Sequence, residues 1–259
     1  MLVLGLAVGA YAALVGAVYV AQRRIIYPTP GRVIRPEVED ASLERIAVPG
    51  GRDTVGLYFA GAPDAPTLLH FHGNGEQIAD LIALGRALRA RGLSFFAMEY
   101  PGYGVAEGAP SEQANYAAAE ASVQHLQARH AVTRDKLVLQ GQSLGTGVAV
   151  EMARRGHGAR LILLSPYTSM VDMGKRTLPI FPSDFIHDRY LNLAKAPAVQ
   201  QPTLVIHGTH DEVIPVSMGV RIAEAIPRAE LRLVDAGRHN DLFVASGRQV
   251  LDAIERFCR

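Results

Sequence analysis

The chain has 259 residues, 49% hydrophobic and 20% charged, a composition that suits a globular protein with a sizeable core and excludes a disordered one. A formal net charge of +1 supplies no global field, so neither nucleic acid nor an acidic partner is expected. The single cysteine, Cys258, excludes an internal disulfide.

Met1 to Ala21 (MLVLGLAVGAYAALVGAVYVA) carries no charged side chain, and Gln22-Arg23-Arg24 ends it. As a helix these 21 residues rise about 31 Å, close to the hydrocarbon thickness of a bilayer. A cleaved signal peptide would have a basic leading region and a shorter apolar run, and the third alternative is a buried helix. The expectation is an uncleaved single-pass anchor over residues 1–24 followed by one domain over 25–259. Arg23 and Arg24 on its C-terminal flank predict that this domain faces the cytoplasm, with Tyr27 near enough to sit at the membrane interface.

Beyond the anchor, strand and helix signals alternate. Ile46–Val48 and Val55–Ala60 read as a hairpin turned by Pro49-Gly50-Gly51, and Thr67–Phe71 as a buried strand. Gln77–Arg91 has apolar residues at helical spacing with Gly92 as its stop. Leu93–Met98 reads as a strand, Ser111–Arg129 as a helix opened by Ser111, Leu137–Leu139 as a strand and Leu144–Arg155 as a helix. Strands at Leu161–Leu164, Thr203–Ile206 and Leu231–Val234 follow, with helices at Ser217–Ile226 and Arg248–Phe257. This alternation predicts an α/β fold with a mostly parallel central sheet and helices on both faces. Residues 168–196 fit no clean element and are expected to form a lid or cap insertion.

One stretch carries chemistry. In KLVLQGQSLGTGVAV, Lys136 to Val150, a strand pattern runs into Gly141-Gln-Ser-Leu-Gly145 and a helix pattern follows at once. A tight turn alone would explain the glycines. A serine lifted clear of a strand-to-helix turn is the other reading, because α/β sheets bind ligands at the carboxyl ends of their strands. Ser143 needs a base, and that base an orienting acid. Asp211 follows the strand at Thr203–Ile206, and His239 follows the strand at Leu231–Val234. Singly, Asp211 is better explained as a turn or cap aspartate and His239 as a surface-loop histidine; in this order after three strands, Ser143, Asp211 and His239 are the expected catalytic set. The loop His72-Gly73-Asn74-Gly75 ends the strand at Thr67–Phe71, and the backbone amides of Asn74 and Leu144 are the expected oxyanion donors. Gly73 and Gly75 let that loop turn, with Gly73 expected on the substrate pocket. A metal held by His70 and His72 is the rival reading, but further ligands at matching spacing are missing, so no metal and no cofactor are expected.

These residues resemble the α/β-hydrolase superfamily, and within it a membrane-anchored branch related to serine aminopeptidases and to animal palmitoyl-protein hydrolases. QRRIIYPTPG, FHGNGE, MEYPGYGVAEGAPSE, LQGQSLGTGVA, LLSPYTSM, DRYLNLAKA, VIHGTHDEVIP and GRHND carry the resemblance along almost the whole chain. It implies Ser143 as nucleophile, Asp211 as acid and His239 as base, and it implies that Pro166–Leu191, including Tyr167, helps form an acyl pocket and cap. The cysteine-rich N-terminal segment of the animal enzymes has no counterpart here, so their protein substrates are not carried over. The expected activity is hydrolysis of a carboxylic ester or thioester, with a small-molecule or lipid-like acyl substrate as the partner. An aminopeptidase-type peptidase is the alternative enzyme, and a non-catalytic ligand-binding protein the alternative class. On this reading a form lacking Met1–Arg24 should still cleave small soluble esters at nearly the full rate.

Overall fold

In a computed structural model describing residues 1–243 and 247–259, the domain opens with a hairpin of β1 (Ser42–Ile46) and β2 (Thr54–Phe59). β1 lies earlier than the expected Ile46–Val48 because SLERI alternates exposed and buried positions on a sheet edge, where charged residues mask the strand signal. The next segments are β3 (Thr67–Phe71), α2 (Ile82–Arg89, after a 3₁₀ turn at Ile78–Leu81), β4 (Ser94–Met98), α3 (Glu112–His130), β5 (Leu137–Gln142) and α4 (Gly145–Arg154). β6 (Arg160–Leu164), α5 (Met170–Thr177), α6 (Asn192–Lys195), β7 (Thr203–Gly208), α7 (Val216–Ala225), β8 (Ala229–Val234) and α8 (Gly247–Cys258) complete it. The N-terminal helix, α1, covers Leu2–Ile26.

The sheet order is β1-β2-β4-β3-β5-β6-β7-β8, antiparallel at β1–β2 and β2–β4 and parallel from β4 to β8. The central strands are apolar on both sides because helices cover both faces. Leu69, Phe71 and Leu139 point into a core shared with α3, α4 and α7, while Leu68, Val138 and Ile162 point into one shared with α2 and α8. From β3 the chain runs to β4 on one side and then crosses to β5 on the other. A crevice opens where the order reverses, at the carboxyl ends of β3 and β5. Those ends carry the His72–Asn74 loop and Ser143.

The segment 168–196 is more ordered than expected. α5 is capped by Ser169, whose hydroxyl accepts from the Asp172 amide at 2.9 Å, and α6 follows after a second short turn. An eight-residue helix is too short to show a periodicity in sequence. α1 also departs from the expectation of a bare anchor. Its N-terminal part is solvent-exposed, and an 18-residue stretch within Val3–Ile26 has mean hydropathy 2.1, making the helix long and apolar enough to cross a membrane. Its C-terminal half lies along the segment 168–196. Tyr27, expected at a membrane interface, is 2% exposed and hydrogen-bonds Tyr190 at 3.1 Å, so it closes the core instead.

Candidate active site

Ser143 is the first residue after β5, and its φ of 49° is a left-handed value that a serine adopts only under constraint. The constraint is the sharp turn from β5 into α4. Space for that turn depends on Gly145, where an added Cβ would run into the carbonyl of Phe71 on the neighbouring strand. The Ser143 amide donates to Leu164 O at 2.9 Å, and Ser143 O accepts from the Thr146 amide at 3.0 Å, which pins the serine between β6 and α4.

The structure brings the three expected side chains together. His239 Nε2 lies 3.0 Å from Ser143 Oγ, and His239 Nδ1 lies 2.8 Å from Asp211 Oδ2. Their loops meet because β7 and β8 are parallel neighbours, so both strands deliver their following residues to one end of the sheet. Asp211 has a fully buried side chain. Burial alone would raise its pKa, but hydrogen bonds from His207, His239 and the Ile214 amide outweigh it and hold the carboxyl well below the usual range. His207 thus completes the acid's surroundings, with Nε2 3.3 Å from Asp211 Oδ2 and 2.9 Å from Ile214 O.

The loop after β3 abuts the serine. A Cβ on Gly73 would stand 3.6 Å from the Ser143 Cβ, and the Gly73 amide is already committed to Glu76 Oε2 at 2.6 Å. The amides of Asn74 and Leu144 donate to no other described residue. Holding this loop is a network the sequence reading missed. His72 is buried with Nδ1 2.8 Å from Gly73 O and Nε2 3.0 Å from Glu99 Oε1, while Glu99 Oε2 accepts from the Ile78 amide at 3.1 Å. Burial would lower the His72 pKa, but the Glu99 carboxylate raises it above the ordinary value. Tyr100 donates to His72 O at 2.9 Å and Tyr103 to Asn74 Oδ1 at 3.0 Å. The repeated tyrosines of EYPGYG were the available signal, although nothing local tied them to the β3 loop.

His72 therefore has both ring nitrogens engaged. His70, enclosed by burial and next to His72, has its pKa pressed down to about 3. Among the described residues, His70 and His72 belong to no group of three or more side chains placed to hold a metal ion. A different group does converge, on elements that carry none of Ser143, Asp211 or His239. Glu44 of β1 meets Nε2 of His125 at 2.6 Å and of His130 at 2.9 Å, from α3 and its end. Ser42 and Arg129 approach the same carboxylate, which accounts for the group as a buried acid with donors around it.

Ser143 and His239 open on a cavity of about 690 Å³ that Gly73, Asn74, Leu144 and Tyr167 also line. Its far wall is apolar, with Met170, Met173, Leu178, Phe181 and Ile186 from the segment 168–196. Val18, Gln22, Ile25 and Ile26 of α1 supply the remaining side. A form lacking residues 1–24 would lose Val18 and Gln22 from the wall of this cavity.

A serine in a left-handed turn after a central parallel strand, facing a histidine and an acid from later strand ends, defines a hydrolase of the α/β type. Comparisons with known proteins agree. The family described as "Serine aminopeptidase, S33" matches residues 62–183. An uncharacterized protein of Mycobacterium tuberculosis is 34% identical over 251 residues, covering 91% of this chain and 86% of that protein. Alpha/beta hydrolase domain-containing protein 17C of Homo sapiens is 36% identical over 193 residues, 74% of this chain but 57% of the human protein, so the likeness spans little more than half the animal relative. Among solved structures, a Pyrococcus furiosus esterase superposes with a TM-score of 0.73 at 17% identity, covering 88% of this chain and 97% of that one. A Paleococcus ferrophilus monoacylglycerol lipase gives 0.63 at 17% identity, covering 79% and 98%; at such identities both show likeness of fold alone. The chain belongs to the α/β-hydrolase superfamily and is a hydrolase.

Proposed function

We propose that this hydrolase cleaves carboxylic esters or thioesters through an acyl-enzyme on Ser143. The observation that carries the reading is the run of hydrogen-bond distances from Asp211 through His239 to Ser143 at the floor of a largely apolar cavity. As Ser143 Oγ attacks the acyl carbon, His239 Nε2 takes its proton, and the carbonyl oxygen becomes an oxyanion within reach of the Asn74 and Leu144 amides. Collapse of that intermediate breaks the bond to the alcohol or thiol, which leaves with the proton from His239. A water then gives its proton to His239, attacks the acyl carbon and releases the acid, returning the proton to Ser143 Oγ. Asp211 stays ionised throughout and stabilises the imidazolium.

The lining favours an acyl group over a peptide amino terminus. Glu76, an acid on the cavity wall, already accepts from the Gly73 amide and serves the loop. The names of the esterase and lipase with this fold point the same way. We further propose that residues 1–24 anchor the chain in a membrane, that 25–259 form the hydrolase domain with a cap at about 168–196, and that the domain faces the cytoplasm. The test is a series of acyl esters, thioesters and amino-acid amides run on the purified protein. Cleavage of esters and thioesters with little or no turnover of the amides is expected. A preference for amino-acid amides would replace this reading with the peptidase.

A further inference from the structure

The apolar stretch of α1 hides two stripes with different neighbours. Val18, Gln22, Ile25 and Ile26 stand at i, i+4, i+7 and i+8, one face of a helix, and line the cavity that holds Ser143. Tyr11, Val15 and Tyr19 stand on another face and, with Pro182 and Phe185 of the cap, line a second groove of about 570 Å³. The seam between helix and cap is fastened by polar groups. Gln22 is 4% exposed; its Nε2 donates to Tyr19 O at 2.9 Å and Phe185 O at 3.2 Å, and its Oε1 accepts from the His187 amide at 2.8 Å. Tyr11 donates to Ile180 O at 2.9 Å, and Arg23 pairs with Asp188 at 3.1 Å. A side-chain amide in hydrocarbon without partners costs several kcal/mol, so a helix that only met lipid would not keep a glutamine there. Here the cap satisfies it.

The lengths add a constraint. From Gln22 to Tyr11 the helix rises about 16 Å, and the cap accompanies it over all of that distance. Only the nine helical residues before Tyr11, about 14 Å, lie beyond that last hydrogen bond, about half of a hydrocarbon core of about 30 Å. An α1 that spans a bilayer therefore carries the cap tip into the near leaflet. The tip suits that position: Ile180 is 60% exposed and Phe185 50% exposed beside it.

We propose that the seam between α1 and the cap is an entrance immersed in lipid, through which one acyl chain of a bilayer lipid slides to place its carbonyl at Ser143. α1 is then a wall of the binding site as well as an anchor, and Val18 limits the length of chain the cavity accepts. The proposal rests on the acyl-hydrolase reading of Ser143.

The chain contains no tryptophan, so one introduced tryptophan is a unique fluorophore. Val18→Trp narrows the cavity and reports from inside it. In the full-length protein, the ratio of kcat/KM for dodecanoyl over acetyl nitrophenyl esters should fall by about ten-fold or more relative to wild type. A phosphonate with a brominated dodecyl chain, once bound to Ser143, should quench the Val18→Trp emission but not that of Val20→Trp, whose position is 85% exposed. Ile180→Trp in vesicles should be quenched by phospholipid brominated on its acyl chains. A chain-length ratio within about two-fold of wild type, together with no quenching by the bound inhibitor, would overturn the wall. An unquenched Ile180→Trp would overturn the immersed entrance. A wild-type protein that cleaved no ester and took no phosphonate would sink the acyl-hydrolase reading instead, while the Ile180→Trp measurement would still decide the immersion.

Discussion

Replacing Asp211 with asparagine isolates the role of the acid with almost no change in shape. Asp211 Oδ1 accepts from the Val213 amide at 3.0 Å and the Ile214 amide at 2.8 Å, so the asparagine carbonyl must take that position. Its NH₂ then occupies the place of Oδ2, 2.8 Å from His239 Nδ1, and can only donate there. The imidazole proton is forced to Nε2, which faces Ser143 Oγ at 3.0 Å and can no longer accept the serine proton. The same wrong tautomer in a serine protease lowers kcat by about 10⁴, equivalent to roughly 5 kcal/mol of barrier. We expect a loss of that order for Asp211→Asn on a short-chain ester, with KM little altered and a slower reaction with a fluorophosphonate. Circular dichroism would verify that the variant is folded. A folded Asp211→Asn that lost less than about ten-fold in kcat would refute the assignment of Asp211 as the orienting acid.

Two further outcomes follow from packing and charge. Gly145→Ala should destabilise the protein by about 3 kcal/mol, read as a lowered denaturant midpoint, because its Cβ meets the backbone of Phe71, which cannot swing aside; an unchanged midpoint would contradict the tight elbow. Glu151 is 5% exposed at its side chain and takes Arg154 at 2.8 Å, Arg155 at 2.9 Å and Lys195 at 3.0 Å. Burial would raise its pKa, but these cations outweigh it and lower it from 4.5 to about 2. A carboxylate depressed in the folded state stabilises it above the ordinary pKa and loses that contribution as pH falls from 4.5 toward 2. Glu151→Gln should therefore be less stable at neutral pH, by up to about 3 kcal/mol, with the difference closing toward the acid end. A gap that stayed constant with pH would show that the ion cluster is not its source.

The parts of the site that sequence exposed were those with local causes. Gly141 and Gly145 flank Ser143 because the turn leaves no room for a side chain, and Asp211 and His239 each follow a strand whose apolar run is plain. What stayed hidden depends on contacts between distant residues. Glu99 acts on the His72 loop 27 positions away, and no periodicity records that. The stripe of α1 that faces the cavity is apolar like the rest of the helix, so uniform hydropathy concealed it, and Gln22 read as the edge of a charged flank until the cap was seen to hold it. Tyr27 looked interfacial for the same reason: its partner, Tyr190, comes from 163 residues later.

The central claim is that Ser143 is the nucleophile, and covalent labelling tests it most directly. The full-length protein is treated with a fluorophosphonate, digested, and its peptides are mapped by mass spectrometry. The account predicts one adduct, on the peptide carrying Ser143, with hydrolysis lost in proportion to labelling and no adduct on Ser143→Ala. Ester hydrolysis that continued in fully labelled protein, or in Ser143→Ala at wild-type rate, would contradict it.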